Sequence, residues 1–267
     1  MNDASIGVFD SGIGGLTVVA AIMRALPTER VLYVGDTARV PYGPKSPETV
    51  LRYSRQITAY LLEQGVKAIV IACNTATAHA LEALQREVPV PVIGVVQPGA
   101  RAAVRETRNG RIGVVGTAGT IKSGAYTRAI AELSANAVVT GMSCPLFVPL
   151  VEEGWVDHPA TRLIAETYLA PMRDASVDTL VLGCTHYPLL APVIATFLGE
   201  AVSLVDSAAE TAIALRDVLA AQSIEASGAA AGRPHRFVAT DAPDAFRRVG
   251  QRFLGPALDR VETTVFA

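Results

Sequence analysis

The feature that most limits what this chain can fold into is a repeat of itself. Residues 66–74, Val-Lys-Ala-Ile-Val-Ile-Ala-Cys-Asn, align without a gap on 177–185, Val-Asp-Thr-Leu-Val-Leu-Gly-Cys-Thr, 111 residues further on. Residues 6–11, Ile-Gly-Val-Phe-Asp-Ser, align on 112–117, Ile-Gly-Val-Val-Gly-Thr, at an offset of 106 residues. Each half thus opens with an apolar run that ends in a small-residue turn. Each later carries an apolar run that ends in a small residue, a Cys, and then a hydroxyl or amide residue. Apolar runs of α/β chains resemble one another, so the match could arise by chance, but the paired cysteines make chance a poor account.

The runs at 6–9, 31–34, 68–72, 92–95, 112–115, 138–140, 179–183, 202–205 and 236–239 are expected as strands. Their apolar residues do not alternate with polar ones, which is the pattern of strands covered on both faces, as in parallel sheets. Amphipathic stretches between them, such as 48–64, 76–87 and 162–175, read as helices. Strands alternating with helices indicate α/β layering. The expected fold is two similar doubly wound parallel-sheet domains related by a pseudo-two-fold axis, with the active site in the cleft between them. The joint is expected near Gln97-Pro98-Gly99, where Pro and Gly interrupt the pattern. The first domain would comprise 1–97 plus 207–267, and the second 98–206. The tail after 207 reads as a helix, an Ala/Gly-rich loop at 225–232, a strand at 236–239 and a final helix, too short for a domain of its own.

Half of the 267 residues are hydrophobic, 18% are charged and the net charge is −2, a compact globular composition with no bias toward nucleic acid or anionic membrane. Arg101, Arg105, Arg108 and Arg111 cluster, but read more simply as a solvated helix face. The start, Met-Asn-Asp-Ala-Ser, carries no basic leader followed by an apolar run, and no apolar stretch reaches the roughly 18 residues of a membrane span. A cytoplasmic protein is expected. Its three cysteines do not make a disulfide framework and would stay reduced there.

In open parallel sheets ligands bind beyond the carboxyl ends of the strands. Five segments fall there: Asp10-Ser11-Gly12-Ile13-Gly14-Gly15, Asp36 with Pro41-Tyr42-Gly43, Cys73-Asn74-Thr75, Gly116-Thr117-Ala118-Gly119-Thr120, and Cys184-Thr185-His186. The first resembles a dinucleotide loop only loosely, because the G-x-G-x-x-G spacing is absent. It can be a bare turn, or a helix N-terminus offering N–H groups to a carboxylate. A lone buried Cys is usually a small hydrophobe. Two at the same point of two repeats suggest a pair of thiols on opposite walls of one cleft. Cys144 has no counterpart and reads as structural. A thiol must ionise to act as a base, and a helix N-terminus or a nearby cation assists it. Both Cys73 and Cys184 are expected at helix N-termini. His186, two residues after Cys184, is its candidate proton partner, although a His at a strand end is as often a plain hydrogen-bonder. Asp10, at a neighbouring strand end, is the candidate partner of Cys73.

There is no P-loop, no C-x-x-C pair, and no metal-ligand spacing among the four histidines. The three lysines, Lys45, Lys67 and Lys122, are poorly placed to form the Schiff base of a pyridoxal enzyme. Cofactor-free chemistry is expected.

Taken together, D-S-G-I-G-G-L-T-V from Asp10, Y-V-G-D-T-A-R-V-P-Y-G from Tyr33, A-C-N-T-A from Ala72, F-V-P-L-V-E from Phe147 and G-C-T-H-Y-P-L-L from Gly183 resemble the glutamate racemases, over residues 6 to about 207. The Pro-Tyr-Gly segment and the His after Cys184 favour that branch over the aspartate and hydantoin racemases. The resemblance implies a cofactor-independent, two-base exchange of the α-proton. Cys73 would deprotonate D-glutamate with help from Asp10, and Cys184 would deprotonate L-glutamate with help from His186 and Glu152. Ser11, Pro41, Tyr42, Gly43, Asn74, Thr75 and Thr185 would bind the substrate, with Thr117, Thr120, Asp10 and His186 also in contact. Asp36 matches a family acid of undefined role. The resemblance further implies a homodimer that supplies D-glutamate for peptidoglycan. Rival readings are an aspartate or hydantoin racemase, a non-catalytic metabolite-binding protein with structural cysteines, and a thiol redox protein. Faster turnover of L-aspartate, α-proton exchange that survives Cys73→Ser, and oxidation of Cys73 to Cys184 would mark them in turn.

Overall fold

The computed structural model describes residues 2–228 and 234–266. Among them the strands are β1 (Ile6–Asp10), β2 (Val31–Gly35), β3 (Ala68–Ile71), β4 (Val92–Gly94), β5 (Arg111–Gly116), β6 (Val138–Ser143), β7 (Thr179–Gly183), β8 (Ser203–Asp206), β9 (Arg236–Ala239) and β10 (Glu262–Thr263). The α-helices are α1 (Leu16–Ala25), α2 (Pro47–Glu63), α3 (Asn74–Glu87), α4 (Val96–Glu106), α5 (Ala118–Ser123), α6 (Ala125–Leu133), α7 (Phe147–Glu152), α8 (Pro159–Asp174), α9 (Ala191–Leu198), α10 (Ser207–Ala221) and α11 (Pro243–Leu254).

The strands form two sheets, in the orders β10-β9-β2-β1-β3-β4 and β6-β5-β7-β8, with every pairing parallel. Within the larger sheet, β2-β1-β3-β4 has the same order as β6-β5-β7-β8 in the smaller. The repeat is therefore topological: β1 corresponds to β5, and β3 to β7. The strand order reverses direction between β1 and β3, and again between β5 and β7, which is where such sheets bind ligands.

Successive strand residues enter different cores. Ile6, Val8, Val70 and Ala72 join one cluster with α1 and α10, whereas Phe9, Ile69 and Ile71 join another with α2 and α3. In the smaller sheet, Leu180 and Leu182 face one cluster and Val181 the other. With both faces buried, either parity of position must be apolar, and that is why the strands show no alternation.

Several expectations need correction. Pro98 and Gly99 do not interrupt the pattern but lie inside α4. Pro98 sits in the first turn, where its missing N–H has no helical partner to lose. Gly99 is needed there for closeness, since a Cβ would come 3.1 Å from the Ser207 Cβ and from the Tyr126 hydroxyl. The tail was expected to end in a helix, but the chain continues past α11 to β10, which pairs with β9. β9 in turn pairs with β2, so the tail widens the first sheet. The Ala/Gly-rich segment expected at 225–232 is described only to 228; the rest lies outside the described residues. Arg101, Arg105, Arg108 and Arg111 are exposed, but they do not form one helix face: Arg101 and Arg105 lie on α4, Arg108 follows it and Arg111 opens β5. Arg105 pairs with Glu210 at 2.8 Å. No described helix is long and apolar enough to cross a membrane.

Candidate active site

Cys73 lies two residues beyond the end of β3, and Cys184 directly follows β7. Both thiols are free, both residues are only 6% exposed, and both line one cavity of about 40 Å³. Its walls come from both halves of the molecule: Ser11, Val40, Pro41, Tyr42, Gly43, Asn74 and Thr75 on one side, and Thr117, Val148, Thr185 and His186 on the other. A space of this size holds about one to three waters. An outer apolar vestibule of about 430 Å³ shares Val40, Pro41, Gly43, Thr117 and Val148 with it and reaches Glu152. The structure is thus closed, and a ligand of amino-acid size requires the two walls to part.

On one wall Cys73 is the N-cap of α3. Its sulfur accepts the Ala76 N–H at 3.4 Å and lies 3.6 Å from Ser11 Oγ, to which its thiol donates. Burial pushes the Cys73 thiol up to about 11, with the nearby Asp10 carboxylate acting in the same direction. Asp10 is buried and accepts the Gly12 N–H at 2.9 Å, and the Thr185 hydroxyl donates to it at 3.5 Å. Burial raises its carboxyl above the ordinary range, with His186 opposing. Asp10 therefore reaches Cys73 through space, and its side-chain bond crosses to the other half.

On the facing wall the Cys184 sulfur lies 4.0 Å from His186 Nδ1, and His186 Nε2 is 2.9 Å from Glu152 Oε1. Burial raises the Cys184 thiol well above its ordinary value, countered in part by the His186 backbone N–H and reinforced by Cys73. The expectation that both cysteines sit at helix N-termini holds for one only. Cys184 is followed by a short 3₁₀ turn, Tyr187–Leu190, and α9 begins at Ala191. Gly14 allows the two walls to meet, since a Cβ there would stand 2.2 Å from Thr185 Oγ1 and 2.4 Å from His186 Nδ1.

The other expected residues divide by position. Asn74 Oδ1 accepts the Tyr126 hydroxyl at 2.7 Å, while its buried Nδ2 has no protein partner and is available to a ligand. Thr75, Thr117 and Thr120 form a triangle of hydroxyls, with oxygens 2.8, 3.0 and 3.3 Å apart. Thr75 and Thr117 line the cavity; Thr120 stands behind them. Gly119 N–H donates to Gly43 O at 2.9 Å, tying the walls together at the backbone. Asp36, fully buried, does not line the cavity. It accepts from both Arg39 Nε (2.8 Å) and the Thr240 hydroxyl (3.0 Å), and the Tyr42 hydroxyl donates to it, so it anchors the Tyr42 ring in the wall. Cys144 is packed in a core, where its carbonyl accepts the Tyr187 hydroxyl at 2.7 Å. Lys67 is spent in a buried ion pair with Glu29 at 2.6 Å, and none of the three lysines lines the cavity. Among the described residues no cluster of His, Cys, Asp or Glu could hold a metal.

Sequence reading missed Val40 and Val148, the apolar walls, and Tyr126, which orients Asn74. Nothing local marks an apolar or aromatic residue as site-facing; only the meeting of the halves does.

Residues 6–215 match the profile of the Asp/Glu/Hydantoin racemase family. The chain is 54% identical to a glutamate racemase of Geobacter metallireducens, covering 96% of this chain and 95% of that one. The fold is similar to the crystal structure of a glutamate racemase of Bacillus anthracis, with TM-score 0.94 and 41% identity over 100% of this chain and 98% of that one. It is also similar to the glutamate racemase of Francisella tularensis in complex with D-glutamate, with TM-score 0.92 and 38% identity over 99% and 98% of the two chains.

Proposed function

Because the chain belongs to the Asp/Glu/hydantoin racemase family, we propose that it is a glutamate racemase that interconverts L- and D-glutamate with two cysteines as the acid–base pair. The observation that carries this reading is one cavity lined by two free thiols from equivalent strand ends of the two halves.

The Cys184 thiolate removes the α-proton of L-glutamate: the C–H bond breaks and its electron pair passes into the substrate α-carboxylate. The Cys73 thiol then delivers its proton to the opposite face, giving D-glutamate. The reverse reaction exchanges the roles. Two opposed groups spare the intermediate from turning over within the site. The weakly acidic α-proton demands donors already aimed at the carboxylate. The unpartnered Asn74 amide and the hydroxyls of Ser11, Thr75, Thr117 and Thr185 are suited to that.

Burial holds both thiols protonated in the closed site. The substrate brings its own α-ammonium, and a cation beside a buried thiol favours the thiolate. Ionisation is thereby tied to substrate binding. The His186–Glu152 pair takes up or returns a proton on the Cys184 side, and Asp10 assists Cys73. We take 1–97 with 207–267 as one unit and 98–206 as the other. They part to admit the substrate and close to exclude water. The protein is further read as a cytoplasmic homodimer supplying D-glutamate for peptidoglycan.

Circular dichroism of L- and D-glutamate, incubated with purified protein under reducing conditions and without added cofactor, tests the reading. Both signals should decay to zero. A faster loss of the L-aspartate signal, or no loss with either amino acid, overturns it.

A further inference from the structure

α11 lies outside the family-matched residues 6–215, yet it underlies both halves of the site. Its first turn belongs to the Cys73 side. Phe246 packs on Tyr33 with ring centroids 6.0 Å apart, and the Tyr33 hydroxyl donates to Gly12 O, in the loop that follows Asp10. In mid-helix, Gly250 lets α11 press on α1, since a Cβ there would stand 2.9 Å from Leu16. Its last turn reaches the Cys184 side. The rings of Phe253 and His186 meet edge to face at 5.6 Å and 88°. Arg252 donates to the carbonyl of Glu152, and a Cβ on the neighbouring Gly154 would come 2.9 Å from the guanidinium. Phe253 alone among α11's residues packs against core clusters of both halves.

Two consecutive residues of one helix thus touch the two partners of a single hydrogen bond, His186 and Glu152. An edge-to-face contact restricts tilt of the imidazole, and the bond to the Glu152 carbonyl restricts the backbone that carries the carboxylate. We propose that the last turn of α11 is a positioning element for the Cys184 half of the site, with Phe253 and Arg252 holding the His186–Glu152 pair in line with the thiol. The inference rests on the reading of Cys184 and His186 as proton-transfer groups. Because α11 is built onto the first sheet, this alignment exists only while the two halves are closed on each other.

The test uses the full chain and α-deuterated L- and D-glutamate. Enantiomers have equal free energies, so kcat/KM must fall equally in both directions and cannot reveal which half is disturbed. Isotope effects can. In Phe253→Leu and in Arg252→Gln, kcat/KM should fall about three- to tenfold, the worth of one aromatic or hydrogen-bonded contact. The isotope effect on kcat/KM should rise for L-glutamate, whose deuterium is removed at Cys184, and fall for D-glutamate, whose deuterium is removed at Cys73. Phe253→Tyr, which keeps the ring, should behave as the parent does. Isotope effects that stay at parental values or move together, or a Tyr variant as impaired as the Leu variant, overturn the inference. If Phe253→Leu fails to fold, the exposed Arg252→Gln variant decides by the same readout. A parent that racemises neither enantiomer is a separate failure, that of the proposed function.

Discussion

Cys73 and Cys184 follow equivalent strands, β3 and β7, of two sheets that share a four-strand order, yet their surroundings differ. Cys73 caps a 14-residue helix and lies against the Ser11 hydroxyl, so fixed dipoles oppose in part the burial that keeps its thiol protonated. Cys184 has only a short 3₁₀ turn beyond it and is served instead by an imidazole backed by a carboxylate, groups that can carry a proton. A racemase must have the same kcat/KM in both directions, so the two walls have to be matched in outcome. They need not be matched in means. The repeated strand order gives a symmetric frame, and in the proposed mechanism each wall assists its thiol with different neighbouring groups.

The sharpest break of this comparison is to remove each thiol in turn. Cys73→Ala and Cys184→Ala should each lower racemisation at least about 10²–10⁴-fold, the range of a positioned acid or base. In heavy water, nuclear magnetic resonance should show α-proton exchange surviving only in D-glutamate for Cys184→Ala, and only in L-glutamate for Cys73→Ala. The opposite pattern would reverse the assignment of the two walls.

Removing the helpers tests whether the means differ. His186→Asn should cost about 10²-fold in kcat, because a proton carrier is lost. Ser11→Ala should cost only about fivefold, the worth of one ordinary hydrogen bond. Equal losses would mean that the walls are chemically alike. Gly14→Ala probes the seam between them. Its Cβ would meet Thr185 and His186, so Thr185 and His186 must move, at about 1–3 kcal/mol of stability. Gly12→Ala, whose Cβ would meet only Val40 at 3.4 Å, should melt as the parent does. Thermal melts of the two variants settle the point.

The smallest effect concerns Asp10. Its folded-state pKa is raised by burial, so the protonated form favours the fold. Stability is then fully present below the ordinary value of 3.8 and is lost as pH rises through the higher folded value. Asp10→Asn should abolish that loss and raise Tm at neutral pH by roughly 2–4 °C, about what ~1 kcal/mol does in a chain of this size. Activity should fall at the same time. An unchanged or lower Tm would show that the carboxylate is better satisfied than its burial implies.

Much of the frame could be read from residues in order. The apolar runs placed the central strands to within a residue or two, because both faces of those strands are buried and polar residues occur only at their ends. β10 was missed because two residues carry no period, and only the edge offered by β9 makes them a strand. The misreading of Pro98 and Gly99 has a similar cause. Both are breakers locally, but a first-turn Pro costs no hydrogen bond, and Gly99 serves a helix contact that is remote in sequence. Among the site residues, Cys73, Cys184, Asn74, Thr75, Thr185 and His186 are legible because they follow strand ends, where the backbone delivers side chains to the cleft. Thr120 and Asp36 lie at the same ends but one layer back, which spacing cannot distinguish.

The sequence by itself determined that the molecule has two α/β halves with a thiol at the same point of each, because strand burial and the small-residue turns that follow it are local properties of the chain. Only the tertiary structure decided what each thiol faces. The bond between His186 and Glu152 joins residues 34 positions apart within one half. The bond from Arg252 of α11 to the Glu152 carbonyl spans 100 positions and joins the two halves, so it exists only once they have closed.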